Sequence, residues 1–171
     1  SKIRSDPVVE IGPEMMAEMR DGSEKGAGRM VVSSAGPMET IETDRARRLE
    51  RMVFTREANA LYTPADGGAP SRIAADQLVL DMERSGTKAQ IGALEANGNV
   101  VVRQSAVAVG GEEIVARGSR LHWNRRTGQG TLLGAPFATI DRGANHAEAP
   151  KISFDAILAV AVLKGAKSMK L

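Results

Sequence analysis

The chain of 171 residues contains no cysteine. That absence removes disulfide staples, thiolate nucleophiles and cysteine-ligated zinc sites, and it leaves the redox compartment open. Aromatic side chains are almost missing as well: one Trp, one Tyr and three Phe make up 3% of the sequence. A core made with so few rings has to be assembled from Val, Leu, Ile, Met and Ala. No stretch approaches the roughly 18 consecutive apolar residues of a membrane-spanning helix. No sign of charge prevails either, with 23 basic residues against 21 acidic ones for a net charge of +2. So slight an excess gives no ground for a nucleic-acid partner. The opening Ser1-Lys2-Ile3-Arg4-Ser5 lacks the apolar run of a signal peptide. It reads as the start of a piece cut from a longer chain, from which any targeting signal has been removed.

What is present describes a folded, frequently turning chain. Hydrophobic residues make up 42% and charged residues 26%, which excludes disorder along the whole length. The length suits one domain with a substantial core. The 18 glycines fit a backbone that reverses often. Residues 1–28 are weakly patterned; Pro13 to Arg20 reads as a short helix or as an irregular edge. Residues 29–171 read as a single domain. Turn signals fall at Ala35-Gly36-Pro37, Asp66-Gly67-Gly68, Ser85-Gly86, Asn97-Gly98-Asn99, Gly110-Gly111, Thr127 to Gly130 and Arg142 to Asn145. Between them lie short period-two runs. Leu78, Leu80 and Met82 alternate with Val79, Asp81 and Glu83; Leu121 and Trp123 alternate with Arg120, His122 and Asn124; Ile152 and Phe154 alternate with Lys151, Ser153 and Asp155. This is the pattern of half-buried strands, so the expected fold is all-β, an open twisted jellyroll of many short antiparallel strands. One segment contests it. Met38, Ile41, Arg45, Leu49 and Met52 approach helical spacing, and a helix over 39–52 is the alternative to two strands. Flanking Met30-Val31-Val32 and Val53-Phe54-Thr55 favour strands. The apolar tail, 156–163, reads equally as a buried strand or a short helix.

A phrase recurs three times. It runs from Ala74 to Asp81, from Ala116 to Asn124 and from Ala147 to Asp155. Each copy carries a small residue, a polar stretch, two large apolar residues one position apart, and then Asp or Asn. The spacing between copies is irregular, which excludes a strict solenoid. Each copy reads as a strand whose two apolar residues enter the core.

These phrases carry a resemblance. Leu94 to Val102, around Asn97-Gly98-Asn99, is similar to the turn-and-strand phrase of the OstA-like periplasmic β-jellyroll family of lipopolysaccharide transport. Ala116 to Asn124 resembles that family's next strand, Thr127 to Pro136 its continuation, and Ala147 to Asp155 the strand after that. Ala46 to Thr55, followed by Ala60-Leu61-Tyr62, is similar to an earlier unit of the same kind. The resemblance covers roughly Arg45 to Asp155; the region before Met30 and the stretch Pro64 to Ser71 depart from it. It implies a non-enzymatic module of the bacterial cell envelope that binds and passes on a lipopolysaccharide-like lipid. It also implies a periplasmic location, with a membrane anchor supplied by a part of the chain not present here. Its implied partners are the lipid and other β-jellyroll modules, or further copies, joined through edge strands. The groove lining it implies is Leu78, Leu80, Val100, Val102, Leu121, Trp123, Ile152 and Phe154. Arg45, Arg47, Arg48 and Arg51 form the one concentration of positive charge and are the candidate phosphate contacts. Arg56 stands close to them, and Glu39, Glu42, Asp44 and Glu50 balance the group as an ordinary solvated face would.

The remaining chemistry-bearing residues support no cofactor or metal. A site built on His122 and His146 would need a carboxylate such as Asp141, Glu148 or Asp155, and His122 should face solvent opposite Trp123. Asp76, Asp81, Asp141 and Asp155 would serve glycoside chemistry only as a converging pair. Turn-opening Asp is their plainer reading. Gly110-Gly111-Glu112-Glu113 lacks the Lys-Ser/Thr of a phosphate loop. The alternatives to lipid transfer are a β-scaffold without lipid and, third, a β-solenoid enzyme acting on polysaccharide.

Overall fold

The computed structural model describes residues 2–3, 8–11, 28–46, 49–64, 69–85, 88–105, 111–124, 127, 129–155, 160–164 and 168–169. These form twelve strands: β1 (Lys2–Ile3), β2 (Val8–Ile11), β3 (Gly28–Ser33), β4 (Met38–Asp44), β5 (Leu49–Pro64), β6 (Ser71–Ser85), β7 (Lys88–Gln104), β8 (Ile114–Asn124), β9 (Gln129–Arg142), β10 (Asn145–Asp155), β11 (Val160–Lys164) and β12 (Ser168–Met169). The expected all-β class holds, and every pairing is antiparallel. Strands β4 to β11 follow one another in a single open sheet, with β1 beyond β4. Strands β3 and β4 lie end to end along one edge of β5, and β11 and β12 lie end to end along the outer edge of β10. Two expectations resolve here. Residues 39–52 are two strands joined by a turn, not a helix, and the apolar tail contributes β11. The segment Pro13 to Arg20 and the turn Asp66-Gly67-Gly68 lie outside the described residues.

Strand length departs from expectation. The central strands are long, 17 residues in β7 and 16 in β5, where many short ones were expected. The reason is a row of bulges that crosses the sheet at one level. Register shifts occur between Thr55 and Ala58 on β5, Ala74 and Gln77 on β6, Asn97 and Val100 on β7, Arg117 and Arg120 on β8, and Ala149 and Lys151 on β10. Each bulge inserts residues that bend the strand and can move its side chains to the other face. On β6 the buried positions are odd before the bulge (Ile73, Ala75) and even after it (Leu78, Leu80). On β8 they pass from Ala116 to Leu121 and Trp123, and on β10 from Ala147 and Ala149 to Ile152. A hydrophobic pattern that loses phase in mid-strand looks like two short strands separated by a turn. Asn97-Gly98-Asn99 is therefore a bulge inside β7 and not a turn between strands. Ala35-Gly36-Pro37 likewise is a bend between two strands that run the same way, anchored by the Ala35 and Gly36 amides donating to the Arg56 and Thr55 carbonyls at 2.9 Å.

This line of bulges forms a crease, and its residues suit the bending. Gly98 and Asn99 have φ of +77° and +47°, and Arg56 and Glu57 have φ of +64° and +48°. Asn99 Nδ2 donates to Asp76 Oδ2 at 2.9 Å, which ties the bulges of β7 and β6 together. At Gly118 a Cβ would stand 2.6 Å from the Leu133 carbonyl oxygen and 2.7 Å from Leu132 Cδ1. Ser119 Oγ donates to the same Leu133 carbonyl at 3.1 Å. The Ala135–Pro136 peptide on β9 is cis.

Creasing solves the burial problem. The apolar side chains of β3 to β10 share one face of the sheet and form one continuous cluster. With no helix among the described residues, the sheet's own folding is what covers that face.

Candidate functional site

Register places the interior side chains in rows that run across the strands, neighbouring strands being about 4.8 Å apart. On one side of the crease a first row reads Met38, Phe54, Leu78, Ala96, Leu121, Leu132, Ile152. A second row, two residues nearer the strand ends, reads Thr40, Met52, Leu80, Leu94, Trp123, Gly130, Phe154. The register level one residue further, Arg51, Asp81, Ala93, Asn124, Gln129, Asp155, belongs to the opposite, outer face of the sheet and is mostly polar. The recurring phrase is thus a real structural unit. Its three copies are β6, β8 and β10, which run in one direction with a single antiparallel strand between each pair. Their paired apolar residues occupy the same two rows, and their closing Asp or Asn occupies that outer level. Of the segment from Ala46 to Thr55, residues 49–55 lie in β5, which runs opposite to β6, β8 and β10. The strand parallel to β6 at this level is β4, through Met38 and Thr40.

Across the crease the lining changes character. The row Val32, Ala60, Ile73, Val102, Ala116, Ile140, Ala147 mixes alanines with β-branched side chains. The expected lining residues therefore separate into two groups. Leu78, Leu80, Leu121, Trp123 and Ile152 come together in two adjacent rows, joined in register by Phe154, whose side chain lies outside the described residues. Val100 and Val102 sit beyond the crease. Sequence reading missed Phe54, Leu94 and Leu132, which complete the same rows on β5, β7 and β9; their period-two neighbours carried the signal. The interior is sealed: Leu78, Leu80 and Ile152 are 0% exposed and Leu121 only 5%. One polar atom is caught in it. Trp123 is 3% exposed, and its indole Nε1 has no hydrogen-bond partner among the described residues.

The outer face is polar and cross-linked by ion pairs. Arg51 bonds both oxygens of Asp81, with Nη2–Oδ2 at 3.1 Å, directly across from it in register. Arg103 pairs with Glu113 at 2.9 Å and Arg120 with Glu95 at 3.1 Å. Burial pushes the Glu95 carboxyl up, but hydrogen bonds from Asn97 and Arg120 outweigh it and hold the group below its ordinary value. Of the arginine group, Arg45 is exposed in the β4–β5 turn, Arg51 faces outward, and Arg47 and Arg48 lie outside the described residues. This turn is at the end of the sheet where the Trp123 row lies.

His122 is exposed on the outer face, opposite Trp123. His146 is held between two carboxylates, Nδ1 to Asp141 Oδ1 at 2.6 Å and Nε2 to Glu148 Oε1 at 3.3 Å. These contacts, Asp141 first, raise its pKa above the ordinary histidine value. Both ring nitrogens face oxygens, so no imidazole lone pair converges with the carboxylates on a common point. Among the described residues no cluster of three or more His, Asp or Glu suits a metal ion. The acids do not converge either: Asp76 is bonded to Asn99, Asp81 to Arg51 and Asp141 to His146. Two clefts open on the polar exterior. One of about 700 Å³ lies at the crease beside Arg56, Glu57 and Asp76, and one of about 510 Å³ lies beside Arg72 and Arg103.

A creased open sheet with a continuous apolar interior has a solved counterpart. The fold is that of an LptA-like β-jellyroll. The chain is similar to the crystal structure of LptH, the LptA-homologous periplasmic component of the conserved lipopolysaccharide transport device from Pseudomonas aeruginosa. The TM-score is 0.55 at 14% identity, over 78% of this chain and 80% of that one. At such identity the likeness is one of fold. No protein-family model matches the chain, and no curated protein matches it in sequence.

Proposed function

We propose that this chain is a non-enzymatic lipid-transfer module of the bacterial cell envelope, working in the periplasm on lipopolysaccharide or a similar acyl lipid. The observation that carries the reading is the continuous apolar face of one creased sheet, in a fold shared with a lipopolysaccharide-transport component. Acyl chains enter between Leu78, Leu80, Leu121, Trp123, Ile152 and Phe154, with Val100 and Val102 reached beyond the crease. Burial of apolar surface at about 25 cal/mol per Å² supplies the affinity. The headgroup stays at the end of the sheet that carries the β4–β5 turn, where Arg45, Arg47, Arg48 and Arg51 meet its phosphates. The sheet is not closed, so its outermost strands offer edges to other modules of the same kind or to further copies.

A scaffold without lipid is the second reading, favoured by one observation: the interior side chains are already sealed from solvent. Photo-crosslinking separates the two. A photoreactive residue replacing Leu80, Val102 or Trp123 in turn is irradiated with lipopolysaccharide. Adducts at these positions, and none when Arg120 or His122 is replaced, support transfer. A folded, β-rich protein giving no interior adduct refutes it in favour of the scaffold.

A further inference from the structure

Among the described residues, the interior contains one buried side-chain polar atom without a hydrogen-bond partner, the indole Nε1–H of Trp123. Its cross-strand neighbours are Leu94 on one side and Gly130 on the other. The first is apolar and the second has no side chain, so neither provides a side-chain acceptor, and Leu121 two residues back is apolar too. Buried N–H groups in folded proteins are nearly always satisfied, because an unmet one forfeits its bond to water. A Phe would fill much the same apolar volume without that cost. The position of the indole is also informative. It stands in the row of Leu80 and Leu94, one residue from the end of β8, and on β6 and β7 the apolar interior continues past it through Met82 and the fully buried Ile91. From Trp123 back to Gly118 at the crease the interior runs for about 17 Å of strand.

An amphiphile lying along that length with its chain toward the crease can bring a linkage oxygen to this row, where the buried donor waits. We infer that Trp123 Nε1–H is a donor to the ligand, and that the ligand class is an acyl lipid whose ester or amide carbonyl accepts this bond. A plain hydrocarbon or an ether-linked chain leaves the donor unmet. This rests on the lipid-transfer reading and sharpens it: the site selects for acyl linkage as well as for apolar length.

The chain's sole Trp makes the test direct, because it gives one indole resonance in a ¹⁵N–¹H spectrum. The full chain is titrated with a monomeric 1-acyl lysophospholipid and, separately, with its 1-O-alkyl analogue of equal chain length and headgroup. The expected result is a downfield move of the indole proton with the acyl ligand only, and about tenfold tighter binding of it, equivalent to about 1.4 kcal/mol. In W123F the two ligands should bind alike, at the level of the ether analogue in the unaltered protein. Equal binding of both ligands to the unaltered protein, with no indole shift, overturns the donor role while leaving lipid binding intact. If neither ligand binds, the lipid-transfer reading fails and the inference with it. The spectrum of the unaltered protein decides the matter even if W123F does not fold.

Discussion

The crease makes a quantitative demand on Gly118. A Cβ built there would approach the Leu133 carbonyl oxygen at 2.6 Å, Leu132 Cδ1 at 2.7 Å and Leu132 Cγ at 2.8 Å. Leu132 is 0% exposed, so its side chain has no free space to retreat into, and the carbonyl belongs to a paired strand. Overpacking of this kind costs about 1–3 kcal/mol. Against it stands the gain from restricting the unfolded chain, about 0.4–1 kcal/mol for Gly to Ala at an unstrained site. The net expectation for G118A is a loss of about 1–2 kcal/mol. In urea, with a slope of about 2 kcal/mol/M, the midpoint falls by roughly 0.5–1 M. Far-UV circular dichroism and Trp123 fluorescence should report the same transition. L132A by itself costs about 2–5 kcal/mol through the cavity it leaves. The double variant should lose less than the sum of the two, because the truncated side chain frees space for the new methyl; the coupling should be about 0.5 kcal/mol or more. A G118A protein as stable as the parent, or strictly additive losses, would refute the view that the bulges are packed with no room to spare.

Two other perturbations test the fold and its charges. Asn99 sits at a φ of +47°, which Asn tolerates and a β-branched residue does not, so N99V should lose about 1–3 kcal/mol, more than N99G, which avoids the strain and loses only the side-chain bond to Asp76. The urea midpoints of the two variants decide it. His146, raised by Asp141 and Glu148, should titrate above the ordinary histidine value in an NMR pH series, and D141N should bring it down. The sign follows: protonated His146 stabilises the fold below the unfolded-state pKa near 6.5, and that contribution fades as pH rises through the higher folded-state value. A His146 that titrates at or below the ordinary value contradicts the geometry.

Much of the fold can be read from the chain before any coordinates. Period-two runs bounded by Gly and Asn announce strands, and three echoes of one phrase mark β6, β8 and β10. Their apolar pairs, Leu78/Leu80, Leu121/Trp123 and Ile152/Phe154, share two rows in register. This much is local, because alternation along a strand fixes which side chains share a face. The length of the strands was not legible. A bulge shifts the phase of the alternation just as a turn would end it, and only pairing with the neighbouring strands tells the two apart. Asn97-Gly98-Asn99 is the clearest case.

What the sequence alone determined is the all-β class, the aliphatic character of the core and the strands that carry it, since each follows from residue type and spacing. Tertiary structure alone decided that the bulges align into one crease, that the creased sheet covers its own apolar face, and that Arg51 faces Asp81 while Trp123 Nε1–H is buried with no hydrogen-bond partner among the described residues. Those depend on register between segments distant in the chain, and register is set by the mutual fit of whole strands, which no single stretch of sequence encodes.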